Sequence, residues 1–318
     1  MFGNGGPVAT RVRTDHVETA LARLAPDGRP RTVFFAGKGG VGKTVMSCAT
    51  AVWLAGRGQR TLLVTTDPAA HIGDVLGASI GPEPAPVDGI DGLWAARVDA
   101  RAAAAAYVER IIADAAVRGR STQAIAAMRE ELDSPCTEEI AAFDRFIDLA
   151  SRDSYDATVF DMAPTGHALR LLEMPIEWTR QIAIKVSASL ETAAADDLAR
   201  ARFGRVIDMM RDPAQSTFAF VMYPEATPIA EAERAIAELA SVGIPLGLVV
   251  ANMVLPEEVC QTPFARARRQ MQQGYLAEIE RRFAAPVLEV PLLSTEVTGL
   301  DHVNELVERL LIVPSLVA

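Results

Sequence analysis

A glycine-rich segment near the start of the chain constrains its fold more than any other feature. Residues 37–44 read GKGGVGKT, which matches the phosphate-loop pattern GxxxxGK[ST]. An apolar run at residues 32–36 precedes this segment, and a helical pattern follows it. In that context the pattern predicts a strand, a loop whose backbone N–H groups bind phosphate, and a helix whose positive N-terminal end faces the same phosphates. The sequence therefore predicts a nucleoside triphosphate site.

The residue types within this loop indicate separate roles. The predicted nucleotide-binding set is Gly37, Gly39, Gly40, Val41, Gly42, Lys43 and Thr44. We expect Lys43 to reach the β- and γ-phosphates and the Thr44 hydroxyl to bind Mg²⁺. Lys38 is a second lysine, and we expect it to neutralise transition-state charge at the nucleotide of a facing subunit, as an arginine finger does. That role requires a symmetric dimer with nucleotide at its interface. The alternative is a solvated loop lysine.

Further apolar runs alternate with helical patterns along the rest of the chain. Predicted strands occupy residues 32–36, 61–66, 157–160, 217–222, 246–251 and 286–290. Their continuous hydrophobicity is typical of a parallel sheet with helices on both faces. Residues 97–152 and 177–211 are alanine-rich and helical, so we interpret them as helical insertions, and residues 81–86 are predicted to form a surface loop. The expected fold is an α/β P-loop NTPase with a mostly parallel, doubly wound sheet, in a single domain over residues 1–318.

Two aspartates end predicted strands beside the phosphate loop. Asp67 is expected to align the attacking water or to hold Mg²⁺ through water, and Asp161 occupies the Walker B position. Ligands of open α/β sheets collect at the carboxyl ends of parallel strands, where both residues lie. The candidate catalytic residues are therefore Lys38, Lys43 and Asp67, and the candidate Mg²⁺ ligands are Thr44, Asp67 and Asp161. The alternative for each aspartate is helix capping.

Charge, hydropathy and cysteine usage exclude several classes of protein. The formal net charge of −10 argues against a partner held by its phosphate backbone, so we expect no nucleic acid. No apolar stretch approaches the ~18 to 20 residues that span a bilayer, and no secretory signal is apparent. Three cysteines without a CxxC pair indicate a reduced compartment. We expect a cytoplasmic protein.

Taken together, the motifs resemble those of a known family. The loop at 37–44 is similar to the deviant Walker A of the signature-lysine ATPases. DPAAH at 67–71 and DMAPTGHALRLL at 161–172 narrow the resemblance to the arsenical pump-driving ATPases and the related ATPases that target tail-anchored membrane proteins. The resemblance covers roughly residues 32–311 and implies hydrolysis of ATP.

The same resemblance implies where the base of the nucleotide binds. Asn252, at the end of the predicted strand 246–251, matches the family's adenine-reading asparagine. An amide accepts from the adenine N6 amino group and donates to a ring nitrogen, which favours ATP over GTP. Pro291 and Leu292 match the loop that packs against the base. The alternative for Asn252 is a strand-end cap.

A cysteine motif distinguishes the two branches of the family. SPCTEEIAAF at 134–143 is similar to the metalloid-site motif of the arsenical ATPases. The targeting ATPases commonly carry a zinc-binding CxxC instead, and only Cys260 stands in that neighbourhood. The resemblance implies that Cys136, His167 and Ser134 hold As(III) or Sb(III) as an allosteric ligand.

The residues around Cys136 are consistent with that role. With Ser134 as N-cap and Pro135 after it, Cys136 falls in the first turn of a helix, whereas with Thr137 as the cap it lies just outside. In both cases the positive helix end favours the thiolate that a soft trivalent metalloid prefers. The alternative for Cys136 is an inert packing residue.

The chain also departs from the family pattern. Full-length arsenical ATPases contain two homologous halves and this chain supplies one, so a homodimer has to replace the covalent pair. The second insertion at 177–211 lacks the family's further cysteine. The resemblance implies a metalloid-stimulated ATPase at the inner face of the membrane, with an arsenite efflux carrier and often a metallochaperone as partners. The alternatives are a targeting ATPase that binds hydrophobic clients and, against the acidic charge, a partitioning ATPase on DNA.

Overall fold

A computed structural model of the protein describes residues 17–67, 71–162, 201 and 204–311. The strands are β1 Arg31–Ala36, β2 Thr61–Thr65, β3 Ala85–Pro86, β4 Leu93–Arg97, β5 Ala157–Asp161, β6 Ser216–Met222, β7 Leu246–Val254 and β8 Val287–Pro291. The helices are α1 (17–24), α2 Lys43–Gly56, α3 Ile72–Leu76, α4 Ala100–Val117, α5 Thr122–Leu132, α6 Pro135–Ala150, α7 (204–211), α8 Ala226–Ser241, α9 Pro263–Arg282 and α10 Gly299–Leu311. A 3-10 turn spans Glu257–Val259.

These strands form one sheet in the order β3-β4-β2-β5-β1-β6-β7-β8. Neighbouring strands run parallel except β3, which pairs antiparallel with β4. β1 lies in the middle, between β5 and β6. Parallel strands end at one edge of a sheet, so the segments after β1, β2, β5 and β7 meet at that edge. The predicted α/β fold with a mostly parallel sheet is confirmed.

Side chains of the central strands alternate between two hydrophobic cores. In β1, Val33 and Phe35 join the core formed with α1, α2, α3 and α10. Phe34 and Ala36 join the core on the other face, formed with α6, α7, α8 and α9. Phe34 stacks between two neighbouring strands, with ring centroids 5.2 Å from Phe160 and 4.5 Å from Phe218. Because helices cover both faces, these strands are continuously apolar, as the doubly wound interpretation requires.

Two strands at one edge of the sheet are absent from the sequence prediction. β4 has the sequence LWAAR, whose two alanines weaken its apolar signal. Residues 81–86 are predicted as a loop, and that prediction is wrong at its end, because Ala85 and Pro86 pair with Ala95 and Trp94. Both β3 residues are exposed, as expected of an edge strand that tolerates proline.

The first predicted insertion contains three helices, α4, α5 and α6. Asp99 caps α4 by accepting from the backbone N–H groups of Arg101 and Ala102, each at 3.0 Å. The apolar side of α6 packs into the core through Phe143, Phe146 and other residues. No residue of α5 is buried. The second insertion, 177–211, lies outside the described residues except for 201 and α7. Along the described ranges, no helix is long and apolar enough to cross a membrane.

Candidate nucleotide-binding site

The phosphate loop connects β1 to α2 at the carboxyl edge of the sheet. Gly37 has φ +145°, and a Cβ there would lie 2.3 Å from the Val221 carbonyl oxygen of β6. Gly42 has φ +96°, and its Cβ would lie 2.2 Å from the Asn252 Nδ2 of β7. Glycine is therefore required at both positions, because the loop is pressed against two neighbouring strands. Gly42 is also the N-cap of α2 and offers no side-chain cap, so first-turn N–H groups remain available to an anion.

Lys43 is buried at the start of α2. Its side chain is 5% exposed, and Nζ donates to the Lys38 carbonyl oxygen at 3.1 Å. Burial lowers the pKa of Lys43, although the nearby Asp161 and Asp67 carboxylates oppose that effect. Its ammonium group contacts a carbonyl within the phosphate loop itself. A phosphate group in the loop would compete directly for this ammonium group.

Asp161 ends β5 and lies behind the loop with its side chain fully buried. Its Oδ2 accepts hydrogen bonds from the Thr44 hydroxyl at 3.0 Å and the Thr65 hydroxyl at 3.2 Å. Within the described part of the chain, Oδ1 has no hydrogen-bond partner. Burial raises the pKa of Asp161 to about 6. A buried carboxylate oxygen without a partner, beside a threonine hydroxyl, fits a hard cation such as Mg²⁺.

Asp67 lies beyond the end of β2, close to the same carboxylate. Its backbone N–H donates to the Thr65 hydroxyl at 3.2 Å, so one hydroxyl contacts both aspartate segments. Asp67 also lines a cleft of about 570 Å³, to which α4 contributes Arg101 and α6 contributes Glu138. The structure therefore brings together Lys43, Thr44, Asp67 and Asp161 as the sequence predicts. Residues 68–70 lie outside the described residues.

Lys38 is exposed on the loop and forms an ion pair within its own chain. Its Nζ lies 3.0 Å from the Glu231 Oε1 of α8. The two side chains are 45% and 30% exposed. The described contacts of the Lys38 ammonium group lie within its own chain, so its role at a facing subunit stays a prediction.

The predicted base-reading residue lies inside β7 rather than at its end. β7 continues to Val254, and its pairing with β8 shifts register between Ala251 and Val254, so the predicted strand end at residue 251 is wrong. Asn252 is buried; its Nδ2 donates to the Val41 carbonyl at 2.8 Å and its Oδ1 accepts from the Met253 N–H at 2.9 Å. A primary amide has two donor hydrogens and two acceptor lone pairs. One donor and one lone pair remain for a base.

The predicted base-packing residues follow β8 at the same edge. Pro291 ends β8, and the Leu292 N–H donates to the Val254 carbonyl at 2.8 Å. The Leu292 side chain is 42% exposed. Met253, which precedes Val254, is also partly exposed. Met253 and Leu292 therefore present exposed apolar side chains near the ends of β7 and β8, and their contact with a base stays a prediction.

One contact to the phosphate loop is missing from the sequence prediction. Tyr223 follows β6, and its hydroxyl donates to the Gly40 carbonyl oxygen. Burial raises the pKa of this phenol, so it remains a hydrogen-bond donor at neutral pH. Polar residues directly after apolar strands led to Asp67 and Asp161, and the same criterion finds Tyr223.

The cysteine motif lies at the start of α6. Ser134 is the N-cap, its Oγ accepting from the Thr137 N–H at 3.3 Å, and Pro135 is the first helical residue. The backbone of Cys136 therefore lies in the first turn, and the alternative with Thr137 as the cap is wrong. Ser134 lines a cleft of about 480 Å³ that shares Arg101 and Glu138 with the cleft at Asp67.

His167, the other predicted metalloid ligand, lies outside the described residues. The proximity of His167 to Cys136 therefore stays a prediction. Among the residues whose side chains the structure describes, no group of three or more His, Cys, Asp or Glu is arranged to hold a metal ion. Cys48 is buried in the core and the Cys260 thiol donates to the Pro256 carbonyl at 3.2 Å.

Comparison with known proteins identifies relatives along nearly the whole chain. The family model described as "Anion-transporting ATPase" matches residues 30–312. A "Putative arsenical pump-driving ATPase" from Halobacterium salinarum is 43% identical over 297 residues, which are 91% of this chain and 45% of that protein. An "Arsenical pump-driving ATPase" from Escherichia coli is 35% identical over 86% of this chain and 47% of that protein. An "ATPase get3" from Neurospora crassa is 31% identical over 93% of this chain and 95% of that protein. The chain thus spans about half the length of the two pump-driving relatives and nearly all of the third.

Proposed function

Because this chain belongs to the anion-transporting ATPase family, we propose that it is a Mg²⁺-dependent ATPase that acts as a homodimer, is stimulated by As(III) or Sb(III), and energises a membrane arsenite efflux carrier. The observation that carries the ATPase part is the buried cluster behind the phosphate loop, in which Lys43, Thr44 and Asp161 lie together. The metalloid part rests on Cys136 in the first turn of α6 and on the names of the pump-driving relatives.

The contacts of the phosphate loop support a specific model of how ATP binds. The phosphates lie against the α2 N-terminus, and the Lys43 ammonium exchanges the Lys38 carbonyl for phosphate oxygens. This contact is strong because the lysine is buried, where water screens its charge only weakly. Thr44, Asp67 and Asp161 are the residues that would hold Mg²⁺. When bound, that ion supplies neutralisation of phosphate charge.

Two further residues complete the hydrolytic arrangement. Asp67 orients the attacking water from the end of β2. Lys38 leaves Glu231 and reaches the phosphates of a facing copy, where it stabilises transition-state charge. This step requires a dimer.

Metalloid binding uses the first turn of α6. The helix N-terminus favours a thiolate at Cys136, and a trivalent metalloid is thiophilic. Two copies of Cys136, with His167 and Ser134, form the binding set. The clefts at Ser134 and Asp67 share Arg101 and Glu138, which supports coupling between metalloid binding and water activation. The partners are a membrane arsenite carrier, reached at its cytoplasmic face, and a metallochaperone.

The decisive experiment is ATP hydrolysis with and without arsenite or antimonite. Cys136→Ala should retain basal hydrolysis and lose the stimulation. Cys260→Ala is the matched control, because that thiol lies near β7 and contacts the Pro256 carbonyl, so stimulation should persist. Hydrolysis that ignores metalloid in all three proteins would reject the metalloid part and keep the ATPase part. Absence of hydrolysis with Mg²⁺, ATP and metalloid present would reject both.

A second candidate is an ATPase that targets tail-anchored membrane proteins. The observation in its favour is the match to nearly the full length of the relative named ATPase get3. This candidate requires an apolar client-binding surface in the helical insertions. The sequences of α4 and α5 are instead rich in alanine and charge. Capture of a purified tail-anchored segment in the presence of ATP, without any response to metalloid, would favour this candidate.

A further inference from the structure

We propose that Gln272 of α9 is a positioning residue that sets the selectivity of the site for adenine. It acts by holding the backbone of residues 253–255, which follow the predicted base reader Asn252. The inference rests on the proposed role of Asn252. It extends the site to α9, a helix that carries none of the predicted site residues.

The segment after Asn252 has an irregular backbone. The pairing of β7 with β8 shifts register between Ala251 and Val254. Met253 has φ +58°, and among the described residues it is the non-glycine residue with positive φ. A methionine rarely adopts this conformation, and it persists only where its surroundings hold it.

Gln272 supplies two of the contacts that hold this segment. Its Oε1 accepts from the Leu255 N–H at 2.8 Å, and its Nε2 donates to the Met253 carbonyl at 3.0 Å. The two hydrogen bonds bracket Val254. From the preceding turn of α9, Arg269 donates to the Leu255 carbonyl oxygen. The backbone of the bulge is therefore bound to α9 on the side away from the phosphate loop.

The bulge in turn positions both parts of the predicted base site. The Met253 N–H donates to the Asn252 Oδ1, which orients the amide whose Nδ2 contacts Val41. The Val254 carbonyl accepts from the Leu292 N–H, which fixes the start of the base-packing loop. Gln272 thus lies one backbone step from each element that would meet the base. Removing its two hydrogen bonds frees the Met253 and Leu255 backbone and lets the amide turn.

The burial of Gln272 indicates that its side-chain amide stabilises the backbone it contacts. Its side chain is 5% exposed, whereas Gln270 and Gln273 on the same helix are exposed. Burying a polar amide is unfavourable unless both its donor and its acceptor are paired. An apolar side chain of equal size would fill the space and leave two backbone groups unpaired. The glutamine is therefore explained by the backbone conformation it stabilises.

The test is equilibrium binding of ATP and GTP with Mg²⁺, measured by competition against a fluorescent ATP analogue. Binding requires neither metalloid nor hydrolysis, so it isolates the base site. Wild type should prefer ATP, and Asn252→Ala should lose that preference. Gln272→Met should reduce the ratio of GTP to ATP dissociation constants by about fivefold, the effect of one lost hydrogen bond. Gln273→Met, the same change at an exposed neighbour, should leave the ratio unchanged.

A second variant keeps the test informative if Gln272→Met does not fold. Gln272→Glu retains the acceptor for the Leu255 N–H but places a carboxylate oxygen against the Met253 carbonyl, which it repels, so the ratio should fall at least as far as in Gln272→Met. A purely structural role would lower the thermal midpoint of either variant and leave the ratio at the wild-type value, which overturns the inference alone. A wild-type protein that binds ATP and GTP equally, or an Asn252→Ala variant that still prefers ATP, overturns the base-reading proposal and this inference with it.

Discussion

Among single residues, Asp161 carries a carboxylate that is fully buried and still has to be ionised to hold a cation. Burial raises its pKa from 3.8 to about 6. The folded, nucleotide-free protein therefore binds this proton more tightly than the unfolded chain does. By linkage, the free energy of unfolding rises as the pH falls from about 6 towards about 4. At pH 7 the ionised group is destabilising by about 3 kcal/mol, because one pKa unit corresponds to about 1.4 kcal/mol.

Asp161→Asn tests whether the buried Asp161 is ionised at pH 7. The variant removes the buried charge, so without nucleotide and with a chelator present it should be more stable than wild type at pH 7, by up to about 3 kcal/mol. That difference should shrink as the pH falls through 6 and vanish near 4, because wild type is then protonated. Urea denaturation at each pH measures it. A difference that does not change with pH would contradict the buried, ionised state of Asp161.

Lys38 forms an ion pair with Glu231 of α8. The pair is partly exposed, so its contribution is at most about 1 kcal/mol. Glu231→Gln releases the lysine and should raise the ATPase rate, up to about fivefold, at protein concentrations that leave the dimer partly formed. Glu233 lies on the same helix as Glu231 and pairs with Arg282 of α9, so Glu233→Gln is the control and should have no effect. The gain should also vanish when Lys38→Ala is present. A lower rate in Glu231→Gln would show that the pair assists the reaction instead.

At the scale of the elements, Arg31 connects the first helix to the centre of the sheet. It is buried at the start of β1, and its guanidinium donates to the Thr217 hydroxyl at 2.9 Å and to the Ala214 carbonyl at 3.2 Å. Two longer contacts, at 3.4 Å, reach the carbonyls of Arg23 and Pro213. Burial and the nearby Arg23 lower the pKa of Arg31, although Asp27 and Asp212 oppose that effect.

Arg31→Met should therefore destabilise the protein by about 3 kcal/mol, since it leaves several buried oxygens without a donor. Arg29→Met, at an exposed position two residues earlier, should change stability by less than about 0.5 kcal/mol. Thermal or urea denaturation of both variants distinguishes them. Equal effects would show that the contacts of Arg31 contribute little beyond packing.

The Ser134 hydroxyl is predicted to have two roles, and substitutions separate them. Its capping role predicts that Ser134→Ala loses about 1 kcal/mol of stability and that Ser134→Asp recovers it, because aspartate is an equally good N-cap. Its proposed role at the metalloid predicts that Ser134→Asp stays weakly stimulated by arsenite even though its stability is restored. Full stimulation in Ser134→Asp would remove the hydroxyl from the metalloid site and leave it as a cap.

The elements that could be predicted from the sequence are those whose signal is local. Six strands were predicted because helices bury both of their faces, which makes them continuously apolar. The phosphate loop was predicted because its glycines and lysine have strict spacing. β4 was missed because its side chains are small, and the bulge at Met253 was missed because Gln272, nearly twenty residues later, stabilises it. Contacts between residues so far apart in the sequence do not change the local hydrophobic pattern from which strands are predicted.

At the scale of the whole molecule, the proposed dimer draws Lys38 and Lys43 of one nucleotide site from different subunits. The Lys38 side chain is partly exposed on the loop and pairs with Glu231, whereas Lys43 is buried at the start of α2. If two copies face each other, one site combines Lys43 of its own chain with Lys38 of the other. If the chain acts alone, both lysines serve the same site. The two arrangements predict different ATPase activities when two inactive variants are mixed.

Lys38→Ala and Lys43→Ala should each be inactive alone and recover activity when they are mixed. In a mixed dimer, the Lys38→Ala chain keeps its own Lys43 and receives Lys38 from its partner, so one of the two sites is complete. Half of the dimers in an equal mixture are mixed, so activity should return to about one quarter of wild type, as two-fold symmetry requires. Mixing Lys38→Ala with the double variant Lys38→Ala/Lys43→Ala is the control and should stay inactive. If co-purified mixed dimers are also inactive, Lys38 acts within its own chain and the shared site is wrong.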